Sequence, residues 1–203
     1  GPAAMPRLIL ASTSPYRREL LNRLGMEFDV RDINVDESAR DGEPARELAQ
    51  RLALAKATEA REAASGEPEV IIAADQVAAR DGVLLRKPGN HETALTQLES
   101  CQGETVIFHT AATVIATTAN KQRHCLDNTK VEFLTLSRQQ LDRYLSIEKP
   151  YDCAGGFKAE GLGISLFRAI RSEDPTALLG LPMIWLSQTL RELGFDPLVS
   201  STR

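Results

Sequence analysis

The segment Arg7-Leu8-Ile9-Leu10-Ala11-Ser12-Thr13-Ser14-Pro15 constrains the fold more than any other part of the chain. A short apolar run bounded by turn residues suits a buried strand. Ser14 can act as an N-cap, and Pro15 fits the first turn of a helix. The spacing predicts a helix over 15–24, stopped at Gly25, a good C′ residue. A strand that feeds directly into a helix N-terminus is the beginning of a layered α/β fold.

The remainder of the chain continues that alternation. Residues 28–33 read as a second strand and 43–64 as a long helix rich in Ala, Leu, Glu, Lys and Arg. Glu69 to Ala74 reads as a strand, with Asp75 immediately after it. Residues 79–85 suit a small hairpin turning at Asp81-Gly82, and Asn90 can cap a helix over 91–101. The β-rich runs 105–117 and 125–136 suggest an antiparallel hairpin. Ser137-Arg138-Gln139-Gln140 is a capping box for a helix to Leu145. Ala154-Gly155-Gly156-Phe157-Lys158 is a glycine-rich loop that leads to an expected strand over 164–167, and a last helix covers 182–193. One long hairpin within alternating strands and helices argues for a mixed sheet.

With 203 residues, the chain has the length of one domain over 5–203 and can bury a core without disulfides. Gly1-Pro2-Ala3-Ala4 reads as a remnant of cloning, with Met5 as the natural start. No apolar run approaches the ~20 residues that cross a bilayer. The formal net charge of −4 provides no global field for duplex nucleic acid, so positive charge that serves an anion must be local. Cys101, Cys125 and Cys153 form no C-x-x-C, and His91, His109 and His124 form no H-E-x-x-H, so zinc and redox motifs are absent. The cysteine usage is a cytosolic profile.

Chemistry is concentrated where loops follow strands. Ser12, Ser14, Arg17 and Arg18 surround a helix N-terminus, where hydroxyls, free N–H groups and guanidinium forks favour an oxyanion such as phosphate. The alternative is a capped helix with solvated arginines. Lys56 shares a helical face with Leu48 and Leu52, so it either snorkels at an apolar edge or points into a polar cleft. Asp75 can hold a cation, accept a proton, or merely cap its own turn. Asp36 and Glu37 supply acids on another loop. Carboxylates and cations on separate loops suit a metal–polyphosphate site with Mg²⁺ or Mn²⁺. Arg86-Lys87-Pro88 and Gly155-Gly156-Phe157-Lys158 add two cationic loops.

Ser12-x-Ser14-Pro15-x-Arg17-Arg18, Val35-Asp36-Glu37, Leu54-Ala55-Lys56, Ala74-Asp75-Gln76, Lys87-Pro88, Tyr151-x-x-Ala154-Gly155-x-Phe157, Gly161-x-Gly163 and Gly180-Leu181-Pro182 occur in order. In this set the chain resembles the Maf family of nucleoside triphosphate pyrophosphatases over nearly its whole length. The resemblance implies a fold like that of the inosine-triphosphate pyrophosphatases, with two lobes around a cleft, and usually a homodimer. It implies metal-dependent hydrolysis of a nucleoside triphosphate to the monophosphate and pyrophosphate. Ser12, Arg17, Glu37, Lys56, Asp75, Lys87 and Lys158 fall on the family's functional positions, Asp75 on that of the proton acceptor. At the positions associated with base choice the chain carries Tyr16, Gln76 and Lys158. This is similar to the 7-methyl-GTP pyrophosphatase subfamily, which often has Trp, Gln and Lys there.

The expected function is therefore cytoplasmic hydrolysis of 7-methyl-GTP or related modified nucleotides, with no membrane and no stable nucleic-acid partner. Catalysis is expected from Asp75, Glu37, Lys56 and Lys87, phosphate binding from Ser12, Ser14, Arg17 and Arg18, and metal binding from Glu37 and Asp75. The alternatives are a pyrophosphatase for dTTP and UTP, or a non-catalytic nucleotide-binding regulator of cell division.

Overall fold

A computed structural model describes residues 5–200; Gly1–Ala4, read as a cloning remnant, lie outside the described residues. The order is β1 (Arg7–Leu10), α1 (Pro15–Asn22), β2 (Asp29–Val30), α2 (Ala45–Glu62), β3 (Glu69–Arg80), β4 (Val83–Leu85), α3 (His91–Cys101), β5 (Thr105–Ala116), β6 (Lys121–Phe133), α4 (Arg138–Glu148), β7 (Phe167–Arg171), α5 (Met183–Glu192) and α6 (Pro197–Ser200). Short 3₁₀ turns lie at Ala154–Gly156, Leu162–Leu166 and Ala177–Leu179. The strands form one mixed sheet in the order β2-β1-β3-β5-β6-β7, with β4 on the edge of β3.

Strand β3 is the spine. Its side chains alternate between two apolar layers, as the period of two requires. Val70, Ile72 and Ala74 pack under the layer that holds Leu20, Leu21, Leu186 and Leu190 of α1 and α5. Ala78 continues that face into the layer of α3 and α4. On the opposite face Ile71, Ala73, Val77 and Ala79 pack against Leu48, Leu52, Ala53 and Ala57 of α2.

One edge of β3 is interrupted. Residues Glu69–Ile72 pair with β1 in parallel, and Ala78–Arg80 pair with β4 in antiparallel. Between them, residues 73–77 have no strand neighbour on that edge among the described residues, whereas β5 runs along the other edge from Val70 to Ala79. Asp75 therefore lies inside a strand of 12 residues, not just after its end. The polar pair Asp75-Gln76 interrupts the apolar run but not the pairing with β5.

Three more expectations move. Residues 162–166 form a 3₁₀ turn, and the strand is β7, one segment later. Gly161 N–H closes a turn onto the Lys158 carbonyl at 3.3 Å, and a side chain at Gly163 would collide with that same carbonyl. This tight approach coils the segment before β7 can reach β6. Strand β2 keeps only two of its six expected residues. The long hairpin forms, but its second strand runs from Lys121 to Phe133 rather than over the expected 125–136, while the Ser14 cap, the Asn90 cap and the capping box at Ser137 form as expected. No described helix is long and apolar enough to cross a membrane.

Candidate active site

A cavity of about 450 Å³ opens beside the interrupted edge of β3. Its walls come from the turn between β1 and α1, the 32–37 loop, Lys56 of α2, Asp75 and Gln76, Lys87, the segment 152–160, and Leu178–Gly180. Of the residues expected at the site, Ser12, Ser14, Tyr16, Arg17, Glu37, Lys56, Asp75, Gln76 and Lys87 all line it. Arg18 does not: one position on from Arg17, it is exposed and borders a separate groove with Asn22, Phe28 and Asp29. Lys158 is also not a lining residue, although its ammonium interacts with the Tyr16 hydroxyl.

The centre of the cavity is an ion triad. Lys56 Nζ lies 2.9 Å from Asp75 Oδ1 and 2.9 Å from Glu37 Oε1. Of the two readings of Lys56, the polar cleft holds. Two carboxylate oxygens that share one ammonium at these distances are no further apart than twice 2.9 Å. Asp75 is only 7% exposed. Burial pushes its carboxyl up, against the opposing pull of Lys56 and Arg17. Burial also acts on Glu37, but the hydrogen bond from Lys56, with Lys87 and Arg86 behind it, outweighs this and holds Glu37 below its usual range. Their environments thus push the two acids apart, the pattern that separates a proton acceptor from a permanently charged ligand.

The helix end beside the triad gathers two hydroxyls and a guanidinium. Ser14 Oγ caps Arg17 N–H at 3.4 Å, and Ser12 Oγ accepts Ser14 N–H at 3.1 Å, which orders the turn. Arg17 donates through Nε to the Gly180 carbonyl at 2.9 Å. Burial lowers the Arg17 pKa, with Asp75 and Glu37 opposing that shift, and its guanidinium stays charged. Its terminal nitrogens have no protein partner among the described residues and are free to fork onto phosphate oxygens.

The other end of the cavity differs. Gln76, on the opposite face of β3 from Asp75, donates through Nε2 to Thr110 Oγ1, Ala177 O and Leu178 O at 3.1, 3.3 and 3.0 Å. Its amide nitrogen is therefore committed to protein, leaving its carbonyl oxygen as the group able to meet a ligand. Tyr16 stands near Cys153 and Glu160 on the cavity wall, which Asp152 also lines. Burial holds the Cys153 thiol at about 12, so it is no nucleophile at neutral pH. Asp32, Asp152 and Glu160 are lining carboxylates that sequence reasoning misses, and Glu160 is the one set beside the glycine-rich loop. It sits on the turn closed by Gly161 and Lys158, anchored where Lys158 N–H meets Tyr144 Oη at 2.9 Å. The signal for it is a carboxylate two residues past Lys158 in a glycine-bounded loop, and the neighbouring lysine masks it.

A family model described as Maf-like protein matches residues 7–193. The chain belongs to the Maf-like family. It is 54% identical over 192 residues to a 7-methyl-GTP pyrophosphatase of Xanthomonas axonopodis pv. citri, covering 95% of this chain and 99% of that one. A 7-methyl-GTP pyrophosphatase of Albidiferax ferrireducens is 49% identical over 193 residues, covering 95% and 96%. One of Idiomarina loihiensis is 46% identical over 191 residues, covering 94% and 96%. In this Maf-like chain the matched region contains every residue of the triad and of the cavity wall described above.

Among the described residues no group of three His, Cys, Asp or Glu side chains could by itself hold a metal ion. The two carboxylates on Lys56 offer hard oxygen donors only. That set fits a cation that completes its shell with waters and substrate phosphates, as Mg²⁺ does, and it does not fit zinc.

Proposed function

We propose that this chain is a nucleoside triphosphate pyrophosphatase that acts on 7-methyl-GTP and related modified nucleotides, releasing the monophosphate and pyrophosphate. The observation that carries this reading is the Lys56–Asp75–Glu37 triad at the foot of an anion-binding helix end. Relatives named for the same activity support it.

The triphosphate lies across the N-terminus of α1. Ser12, Ser14 and Arg17 hold its oxygens, and Lys56 and Lys87 neutralise the remaining charge. Water adds to phosphorus at the α–β anhydride, the anhydride oxygen leaves with the pyrophosphate, and the proton of the water passes to Asp75. A buried carboxyl with a raised pKa is a stronger base than an exposed one, which suits that step. Glu37 and Asp75 would hold Mg²⁺ or Mn²⁺, which when bound draws charge from the phosphate oxygens.

The base end reads a cationic guanine. Tyr16 offers an aromatic face, worth ~0.5–2 kcal/mol to a stacked cation. Glu160 offers two acceptor oxygens to the N–H groups of the guanine edge, and its charge complements the methylated ring. The same reading includes a homodimer that removes non-standard nucleotides in the cytoplasm, without a nucleic-acid partner.

The test is pyrophosphate release from 7-methyl-GTP, GTP, UTP and dTTP in Mg²⁺. The highest kcat/KM is expected for 7-methyl-GTP. Release from none, or a preference for UTP or dTTP, would overturn the reading.

A further inference from the structure

The loop from Asp174 to Ile184 is held by its own two polar side chains. Asp174 is buried, only 6% exposed. Its Oδ1 accepts the Thr176 N–H at 2.8 Å and the Thr176 hydroxyl at 2.6 Å. Its Oδ2 accepts the Ile184 N–H at 2.9 Å, in the first turn of α5. The Thr176 hydroxyl oxygen in turn accepts the Met183 N–H at 2.9 Å. Hydrogen bonds to a carboxylate are roughly twice as strong as neutral ones, so this clasp fixes the loop on both sides.

None of that bonding touches the cavity, because Asp174 does not line it. Three carbonyls of the clasped loop accept hydrogen bonds from side chains elsewhere in the fold. Ala177 O accepts the Thr110 hydroxyl at 3.1 Å, and Leu178 O accepts Gln76 Nε2 at 3.0 Å. Gly180 O accepts Arg17 Nε at 2.9 Å. Gly180 has φ +132°, and a Cβ there would come within 3.1 Å of Arg17 Cγ. The backbone at 180 is therefore pressed against the arginine it orients.

We propose that Asp174, with Thr176, is a positioning residue for phosphate binding: it holds the Gly180 carbonyl against Arg17 Nε, so that the two terminal nitrogens of Arg17 face the anion. With Nε tied, the guanidinium plane is fixed before the phosphate arrives, and less freedom is lost on binding. The assignment rests on the pyrophosphatase reading only for the identity of the anion.

The test is a double-mutant cycle read by calorimetric binding of inorganic triphosphate. Asp174→Ala and Thr176→Val are each combined with Arg17→Lys, which keeps a cation but has no Nε–H for Gly180. With Arg17 in place each clasp variant is expected to weaken binding about tenfold, the size of coupling seen within one hydrogen-bond network. In the Arg17→Lys background the same changes are expected to cost less than about twofold, because the coupled bond is already gone. Thr176→Ser, which retains the hydroxyl, is expected to bind like the unmodified chain. If Asp174→Ala does not fold, Thr176→Val carries the cycle.

Equal losses in both backgrounds would overturn the positioning role, because general loosening acts whatever residue stands at 17. Failure of the unmodified chain to bind triphosphate would overturn it as well. Turnover is measured beside binding. An unmodified chain that binds triphosphate with a coupled cycle but hydrolyses no nucleotide would refute the pyrophosphatase reading and leave the clasp standing.

Discussion

Asp75 and Gln76 are adjacent in the chain and opposite across the sheet. The Asp75 carboxylate meets Lys56 on the α2 side, while the Gln76 amide meets the carbonyls of Ala177 and Leu178 on the other. Both reach one cavity because the edge of β3 between β1 and β4 is open there. One strand position thus serves the triad, and the next serves the loop that orients Arg17.

Asp75→Asn is expected to fold and to lose most activity. The amide keeps the size and removes charge and basicity, and loss of a general base costs ~10²–10⁴-fold in rate. Circular dichroism establishes the fold, and pyrophosphate release gives the rate. More than about a tenth of the parent rate would assign the base elsewhere.

This prediction rests on a residue whose importance is legible in the sequence and whose setting is not. An acid after Val70-Ile71-Ile72-Ala73-Ala74 is conspicuous, yet it reads as a strand end because buried strands seldom carry charge. The charge is tolerated because Lys56, 19 residues earlier and on another element, stands against it. Local signals carry far: the Ser14 cap, the Asn90 cap and the Ser137 box report bonds made within four residues, and each forms. The Gly180 carbonyl on Arg17 lies 163 residues away in sequence, and no pattern near either residue announces it. The true start of β7 is hidden for a related reason. Ile164–Phe167 has an apolar pattern, but the collision that Gly163 avoids is with Lys158, visible only once the turn is closed.

Tyr16 is expected to select the base. Tyr16→Trp should keep or raise kcat/KM for 7-methyl-GTP. Tyr16→Arg should lower its ratio to that for UTP about tenfold, by setting a cation against a cationic ring. A packing role for Tyr16 would instead lower both substrates together. An unchanged ratio across the series would remove the stacking role.

Glu160→Gln should reduce 7-methyl-GTP turnover by at least about tenfold relative to UTP. Gln presents one acceptor where the carboxylate presents two, and it removes the charge that complements the methylated base. The melting temperature should hardly move, because Glu160 is exposed and has no hydrogen-bond or ion-pair partner among the described residues. Equal loss on both nucleotides would place Glu160 outside base recognition.

Excess EDTA should abolish turnover, and Mg²⁺ or Mn²⁺ should restore it. The expected ligands are carboxylates, which these hard ions accept, while a chelator selective for zinc should have no effect. Full activity in EDTA would contradict the metal assignment to Glu37 and Asp75.

Acid should expose the hold on the loop before α2. Hydrogen bonds from Arg51, then from the Arg40 N–H, draw Glu43 down from 4.5 to about 2. A depressed carboxyl stabilises the fold above its unfolded pKa, and the contribution is lost as pH falls through the folded one. The melting temperature of the unmodified chain should therefore exceed that of Glu43→Gln at about pH 6, with the gap closing between pH 4.5 and about 2. A constant gap over that range would show that Arg51 does not hold Glu43 in solution.

The open stretch of β3 has a consequence for how occupancy can be watched. The Ile72 carbonyl accepts the Ala11 N–H across the β1 edge, so by the alternation of a strand the backbone groups of Ala74 and Gln76 face the same side, beyond the end of β1. Among the described residues those amide protons lack the cross-strand partner that shields their neighbours facing β5. They should exchange with deuterated water faster than the amides of Ala73 and Asp75, and slow when a nucleotide fills the cavity. The break in the sheet thus supplies a built-in reporter of binding at the level of single amide protons, with no label added to the chain.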